Sequence, residues 1–592
     1  MKNATRLFSL LLAVCMLFTL AACGAQGGNE ITTQTTAAAT NAEVTDAAET
    51  EAADVPEWLN TDSALPIVKE GYEKTLKVYV EQTTDYGEVE NSWMYKYITQ
   101  VMNIKLDVTT YTPDNKKDFL SLAFASNALP DIIIAPNYST AELLNYGEIE
   151  GQLLDMVPYI NETYMPNLTS VFEAFPDAKV KFTTPNGNIW ALGKVSAGGG
   201  TLPRYFMNYD YLDELGLKAP TTLDEFIDDM RAVKAAGLCE YPIGGGYSSE
   251  HPGAFILNAM GYVGANSKAY GIALRNGKVV LPLADREAFG DYLKVMNQLY
   301  EEGLIHPDFF TMDRNSIFAE FAKNQAFIFQ APYFCASDPD QYWPVAPLTS
   351  QWNDTPVATG YSKTNPEIVT GTVVVTSACK EPELAAKFLD WFYSMTEANF
   401  QTSMIGPKAD DTEHLFGLDG WTTDENGIVY LPGYENNKDK YTTSNDYLVK
   451  NIALWSSGAF GFDTWGFDES SPTYAAEPDA SQYEDPSVLR KDETLKASGD
   501  KLFQYSARVV MTPYVTAETF PAIVWMDAEQ ASELATTLAA LRSYAKPEIA
   551  KFITGARELT DAELDDYFTN LENLGALEYV QAYQDYYDSV HG

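Results

Sequence analysis

The residue with the most sharply specified chemistry is Cys23. It follows Leu20, Ala21 and Ala22, which close an uncharged run from Leu7 that is itself preceded by Lys2 and Arg6. Cations, a short apolar stretch and small residues form the layout of a secretory signal over residues 1–22, too short to span a membrane. A thiol directly after such small residues, as in a lipobox, permits thioether acylation. The mature chain is therefore expected to begin at Cys23, lipid-anchored on the extracellular face of a cell membrane by acyl chains such as palmitate. Each buried methylene contributes about 0.8 kcal/mol, so two or more chains hold firmly. An ordinary secreted chain with an incidental cysteine is the competing reading, and the segment that follows weakens it.

Other reactive side chains are spaced for nothing comparable. Cys15 leaves with the signal, and Cys239, Cys335 and Cys379 are too scattered for a disulfide framework or paired metal ligands. They read as small buried apolar residues. The histidines, His251, His306, His414 and His591, never stand four apart, which excludes an H-E-x-x-H zinc motif. The glycine triplets Gly198–Gly200 and Gly244–Gly246 lack the G-x-x-x-x-G-K-[ST] spacing and read as connections rather than phosphate cradles. Asp424, Asn426 and Gly427, running on to Glu435, imitate the ends of a calcium loop. The glycine falls early and Ile428 occupies a ligand position, so a hairpin turn is the better reading. Neither metal nor cofactor is expected.

Composition bounds the partners. Loss of Lys2 and Arg6 with the signal takes the formal charge from −44 to −46. Such a surface repels nucleic acid and anionic headgroups, so no nucleic-acid partner is expected and membrane contact is through the N-terminal lipid only. Residues 23–56 are mostly Ala, Thr, Glu, Gly and Gln. They bury too little to offset the entropy of ordering and read as a disordered tether. The remaining body is too large for one core, and two or more domains are expected.

The elements that would position a site follow from periodicity. Thr75–Val80 alternates Leu76, Val78 and Val80 with polar residues, as a half-buried strand does. A helix over Trp93–Met102 and a strand over Ile104–Val108 come next. Asp131–Ala135 (DIIIA) is a continuous β-branched run, the pattern of a strand covered on both faces. Alternating strands and helices imply an α/β body with right-handed crossovers. Thr222 and Glu225 form a capping box for a helix to Ala236, with Leu223, Phe226, Ile227, Met230 and Val233 on one face and Gly237 as its stop. A second helix runs from about Asp285, with Phe289, Tyr292, Leu293, Met296 and Tyr300 inward and Gly303 ending it. Gly371–Thr376 (GTVVVT) predicts a strand, and Pro382–Tyr393 a helix. Thr560 and Glu563 predict another capping box, followed by a Tyr-rich terminal helix. Trp190 and Trp391 read as core. Between 401 and 500 the periodicity fails, and a loop-rich insertion is expected.

Several segments in this order resemble one family. RYFMNYDYLDELGLKAPTTLDEF (Arg204–Phe226), PNGNIWALG (Pro185–Gly193), LYEEGLIHPDFF (Leu299–Phe310), AAKFLDWFYS (Ala385–Ser394) and FITGARELTDAELDDYFTNLENLGALEYVQAYQDYYD (Phe552–Asp588) are similar to the extracellular solute-binding proteins of bacterial ABC importers, in the large lipoprotein branch associated with oligosaccharide uptake. The resemblance implies an α/β, type II periplasmic-binding-protein-like fold. Two lobes would be joined by crossover hinge segments, with a ligand cleft between them. It divides the chain into lobe 1 over 72–195, lobe 2 over 196–365, a return to lobe 1 over 366–400, the insertion over 401–500 and a C-terminal helical segment over 501–592 that completes the lobes. Some relatives in that branch carry a structural calcium, but Thr183–Asn188 lacks carboxylates here. The implied role is that of a monomeric, non-enzymatic binding protein that hands an oligosaccharide to permease transmembrane subunits.

Ligands bind beyond the carboxyl ends of strands in open parallel sheets. That rule selects Gln82, Thr83, Thr84 and Asp85 after the first strand, and Asn137 and Tyr138 after DIIIA. It adds Tyr205 and Asn208 in the strand entering the second lobe, Tyr247 after Gly244–Gly246, and Tyr333 after Phe327–Phe329. Trp455 and Trp465 in the insertion complete the set. Sugars offer flat C–H faces and dense hydroxyls, which suit aromatic platforms with amides or carboxylates. A peptide ligand is the alternative within the binding class. A surface glycoside hydrolase is the competing class, and it would need two carboxylates about 5–9.5 Å apart with one raised pKa.

Overall fold

The computed structural model describes residues 55–591 apart from 84, 197–200, 203, 322, 324–325, 331–335, 337–338, 361–365, 398, 424–428, 442–443, 456–457, 464–485, 492–505 and 507–509. Cys23, Thr84, Tyr333, Cys335 and Trp465, with the signal, the tether and the first glycine triplet, lie outside these.

The strands that frame the molecule are β1 (Thr75–Glu81), β2 (Lys105–Tyr111), β3 (Ile132–Ile134), β4 (Leu192–Ser196), β5 (Thr201–Leu202), β6 (Phe206–Asn208), β7 (Ile328–Phe329), β8 (Tyr342–Pro344), β9 (Thr359–Gly360), β10 (Glu367–Val375) and β11 (Gly461–Asp463). In β1 the apolar alternation is realised, with Leu76, Val78 and Val80 buried and Thr75 and Lys77 exposed. DIIIA is buried on both faces, as expected. Ile132 and Ile134 enter one core with Val78, Val373 and Val375, while Ile133 enters another with Tyr111 and Val374.

A six-stranded sheet runs β11-β4-β10-β3-β1-β2. β10 is antiparallel to β3 and β4, and every other neighbouring pair is parallel. Five carboxyl ends therefore emerge on one edge, at Glu81, Tyr111, Ile134, Ser196 and Asp463, and the amino end of β10 joins them. Leu384, Phe388, Trp391 and Phe392, from the helix Pro382–Asp390 and the short turn after it, pack onto this sheet. The insertion is not a separate layer. Tyr447, Ile452, Leu454, Trp455, Phe460 and Phe462 belong to the same core, and β11 is an edge strand of the sheet. The turn read as a hairpin, with Asp424, Asn426, Gly427 and Ile428, lies outside the described residues; the flanking Thr422–Thr423 and Val429–Tyr430 pair antiparallel.

A second core gathers around the antiparallel sheet β8-β6-β7. The helix Leu223–Ala235 has the capping box and buried face expected, and Gly237 turns the chain at φ +73°. The helix Phe289–Glu301 begins four residues later than expected, because Pro282–Ala284 forms a separate turn, and Gly303 ends it at φ +64°. C-terminal helices Ala528–Ile553, Asp561–Asn573 and Ala576–His591 complete this core with Leu541, Phe552, Tyr567 and Leu571. The predicted second capping box is only half formed. Thr560 accepts from the Glu563 amide at 3.3 Å, but the Glu563 carboxylate turns to Arg557 Nε at 2.7 Å instead of reaching back. Cys239 and Cys379 are buried, as expected, and Trp391 is core. Trp190 is only half-buried ahead of β4, its indole N–H without a partner among the described residues.

The chain crosses between the cores in paired segments. β5 leaves the first sheet and pairs antiparallel with the returning β9. A third crossing lies alongside, where Ala358 N donates to Tyr514 O at 2.7 Å and Thr516 N to Ala358 O at 2.9 Å. Beside this crossover Leu144 joins the second core, and the Trp525 indole donates to Lys181 O at 2.9 Å.

At Gly371 the backbone lies at φ +79°, and a Cβ would stand 2.1 Å from Tyr138 O. Only glycine lets β10 approach the loop after β3 so closely. Gly371→Ala is expected to lower stability by about 2–3 kcal/mol, read as a reduced urea midpoint. An unchanged midpoint would refute the close approach.

Candidate functional site

Topology places two loop-bearing edges at the crossover. On the first lobe these are the carboxyl ends of β1, β3, β4 and β11. On the second lobe, β6 starts four residues after β5, so its amino end lies at the crossover. β7 is antiparallel to β6 and parallel to the bridge at Ile243, which brings the carboxyl ends of both to the same place. The loop after Ile243 is tied there directly, since Tyr205 Oη donates to His251 O at 2.6 Å.

Polar groups line the first edge. Glu81 is ion-paired with Lys116 Nζ at 2.7 Å. Ser196 Oγ donates to Asp463 at 3.1 Å, and the Gln401 amide donates to the other Asp463 oxygen at 3.4 Å. Asp85 is exposed and takes the Thr83 hydroxyl. Burial, then the Asp85 and Glu81 charges, push the Tyr86 phenol upward, so its hydroxyl stays a donor. Asn137 is exposed, at φ +56°.

Aromatic rings and cations dominate the second edge. The Tyr247 hydroxyl is hydrogen-bonded to that of Tyr270. Its ring is buried in the second core, meeting His251 at 5.5 Å and Phe310 at 5.6 Å between centroids, so it is not an open platform. Lys268 Nζ lies 5.1 Å and Lys546 Nζ 5.5 Å from the Tyr247 ring centroid, and the Arg542 guanidinium 5.6 Å from that of Tyr270. Cations over aromatic faces are attracted by the ring quadrupole. Burial, then Lys546, lower the Lys268 pKa.

The structure separates the remaining candidates by burial. Gln82 donates its amide to Leu454 O at 2.7 Å and so ties β1 to the insertion. Tyr138 is buried between Phe124 and Tyr146, and its hydroxyl has no partner among the described residues. Asn208 is fully buried; its Oδ1 caps the helix Tyr209–Leu215, and its amide donates to Gln341 at 2.9 Å. Trp455 packs among Phe388, Phe392 and Phe460, with the Phe460 ring stacked at 6.0 Å, so its indole is core rather than a platform. Tyr205 is buried and spends its hydroxyl on the His251 carbonyl. Lys268, Tyr270, Arg542 and Lys546 escaped the sequence reading, because no local pattern sets them apart from ordinary surface residues.

Such an arrangement can bind hydroxyls, apolar sugar faces and charge. Among the described residues the carboxyls raised to about 6 are Asp229 and Asp390, each chiefly by burial. Asp229 lies on the helix Leu223–Ala235, and Asp390 accepts the Leu168 amide at 2.9 Å as a helix cap. Neither belongs to a loop at a strand's carboxyl end.

His251 gives this edge a pH dependence. Burial, then Lys268, lower its pKa from 6.5 to about 3, and its Nδ1 accepts the Gly253 amide at 2.9 Å. Protons bind the unfolded chain more readily, so His251 favours folding above pH 6.5, and that contribution is lost as pH falls toward 3. By pH 5 the loss is about 2 kcal/mol. Urea midpoints from pH 7 to 5 are expected to fall less steeply in His251→Gln than in the parent, and an equal slope would refute the assignment.

Comparison with known proteins follows the same lines. A profile described as bacterial extracellular solute-binding protein matches residues 87–399, just over half of the chain. The fructooligosaccharide ABC transporter substrate-binding protein FusA of Streptococcus pneumoniae is 25% identical over 509 residues, covering 82% of this chain and 84% of that protein. Its structure in complex with kestose aligns at TM-score 0.63 and 21% identity, over 88% of this chain and 99% of the other. An extracellular solute-binding protein from Bifidobacterium longum subsp. infantis aligns at TM-score 0.64 and 20% identity with the same coverage. Lipoprotein LipO of Bacillus subtilis is 24% identical over 257 residues, 41% of this chain and 47% of that protein. The structural likenesses identify the fold as the type II periplasmic-binding-protein-like arrangement expected from the sequence.

Proposed function

We propose, because this chain belongs to the bacterial extracellular solute-binding proteins, that it is the substrate-capturing component of an ABC importer for oligosaccharides. The observation that carries this reading is the meeting of two loop-bearing edges at a three-segment crossover, one presenting carboxylates and amides, the other the Tyr247–Tyr270 aromatic pair. Similarity to FusA supports the oligosaccharide class and the transporter setting. Capture works by population shift: a ligand touching both edges favours the closed arrangement by its differential affinity for it. The ligand is released unchanged to permease transmembrane subunits.

In this reading Cys23 carries the lipid, 23–56 is the tether, and the protein acts as a monomer. The similarity to LipO supports a lipoprotein. Asp85 and Asn137, both exposed, are the ligand contacts in this reading among the residues selected from sequence, together with half-buried Tyr270.

Isothermal titration with a panel of fructo- and other oligosaccharides is the direct test, with small-angle scattering to follow compaction. Binding of at least one saccharide with a smaller radius of gyration is expected. Tyr270→Ala should weaken it roughly 10- to 100-fold, the loss expected for one aromatic platform. Binding of peptides alone, or release of a hydrolysed sugar, would overturn the reading.

A further inference from the structure

Among the described residues, Lys268, Lys546 and Arg542 make no ion pair, although the chain carries 83 Asp and Glu against 39 Lys and Arg. Nearby cations do find acids: Lys551, on the same helix as Arg542 and Lys546, pairs with Glu548 at 2.6 Å, and Arg557, in the connection after it, with Glu548, Glu563 and Asp566. In so acidic a protein, a cluster of unpaired cations is not explained by composition.

The cluster is also under mutual strain. Lys268 and Lys546 approach the same Tyr247 ring, and Lys546 makes the charged form of half-buried Lys268 less favourable. Like charges held together without a partner cost stability. Arg542 adds a third charge through Tyr270, whose carbonyl it reaches at 3.4 Å. The rings hold these groups in place but cannot neutralise them. An anionic ligand would.

We propose that this edge is a subsite for a negatively charged sugar substituent, so that the ligand is an acidic oligosaccharide bearing a carboxylate or a sulfate ester. The proposal rests on the oligosaccharide-binding reading and narrows it. The buried Tyr247 ring holds Lys268 and Lys546 in place, and these lysines meet the anion. The negative charge of the whole protein would otherwise repel such a ligand, so the local cations also decide which face of the sugar enters. Arg542 can take a planar carboxylate or sulfate in a two-point contact that lysine cannot make.

The test compares trigalacturonate with its reduced, neutral trisaccharide by titration calorimetry at low and high salt, on the parent and on K268Q/K546Q. Expected is at least tenfold tighter binding of the acidic sugar at low salt. The advantage should shrink with added salt and fall to the neutral level in K268Q/K546Q. Ligand-free K546Q should melt higher than the parent, because like-charge repulsion is relieved. Equal affinities for the two sugars, or an acidic preference that survives in K268Q/K546Q, would overturn the charge subsite and leave the oligosaccharide reading standing. Failure of both sugars to bind, with K546Q melting no higher, would overturn the proposal. An oligosaccharide from the wider panel that still binds would show the general reading intact.

Discussion

Apolar burial in this protein is divided between bodies that meet at a narrow crossover, and everything about its site follows from that division. The sheet around β1, β3 and β10 closes one core, and β6 with the C-terminal helices closes another. Between them run the β5–β9 pair and the strand-like segment at Tyr514–Thr516. At this junction the helix Ala528–Ile553 packs against Thr140–Leu144 of the first lobe, with Ala141, Leu144 and Trp525 among the groups that meet. Each lobe otherwise holds its own shape through its own burial. A binding protein that must open and close needs that separation of stiffness.

The same division sets the electrostatics. A single strand direction brings Glu81, Ser196 and Asp463 to one edge of the first sheet, where Lys116 and Gln401 partly satisfy them. On the second lobe, the loop after Ile243 and the helix Ala528–Ile553 come together from positions nearly 300 residues apart and set lysines around a tyrosine. Opposed acidic and basic edges differ in what they recognise. The acidic edge accepts hydroxyl protons, and the basic edge donates to oxygen and attracts charge. A polyhydroxylated ligand can satisfy both.

Much of the fold was legible in the chain. Period-two alternation in β1, the triple isoleucine of β3 and the capping box at Thr222 are local signals, and each element formed where its signal lay. The Thr560 box shows where local reasoning stops: Arg557, three residues upstream of Thr560, offered Glu563 a charged partner that outweighs a backbone amide. The insertion was opaque because its apolar residues are spaced irregularly, yet Tyr447, Trp455 and Phe462 are as buried as any in the first lobe. Burial there is imposed by the sheet they cover, not by their own periodicity. Trp455 and Asn208 illustrate the same limit for the site. An indole among glycines and an amide near the junction suit a sugar, but one is held by Phe392 and Phe460 and the other by a helix terminus.

By itself the sequence determined the net negative charge, the alternation of strands and helices, and which strand ends to consider for a ligand. These depend on composition and on neighbours within a few residues, which a linear reading contains. Tertiary structure alone decided which aromatic residues are free and which are core. It also decided that Lys268, Arg542 and Lys546 share one pair of tyrosine rings, with no ion pair to any of the described residues. Proximity between such distant positions arises from how the two lobes close their cores, and no local pattern of residues encodes it.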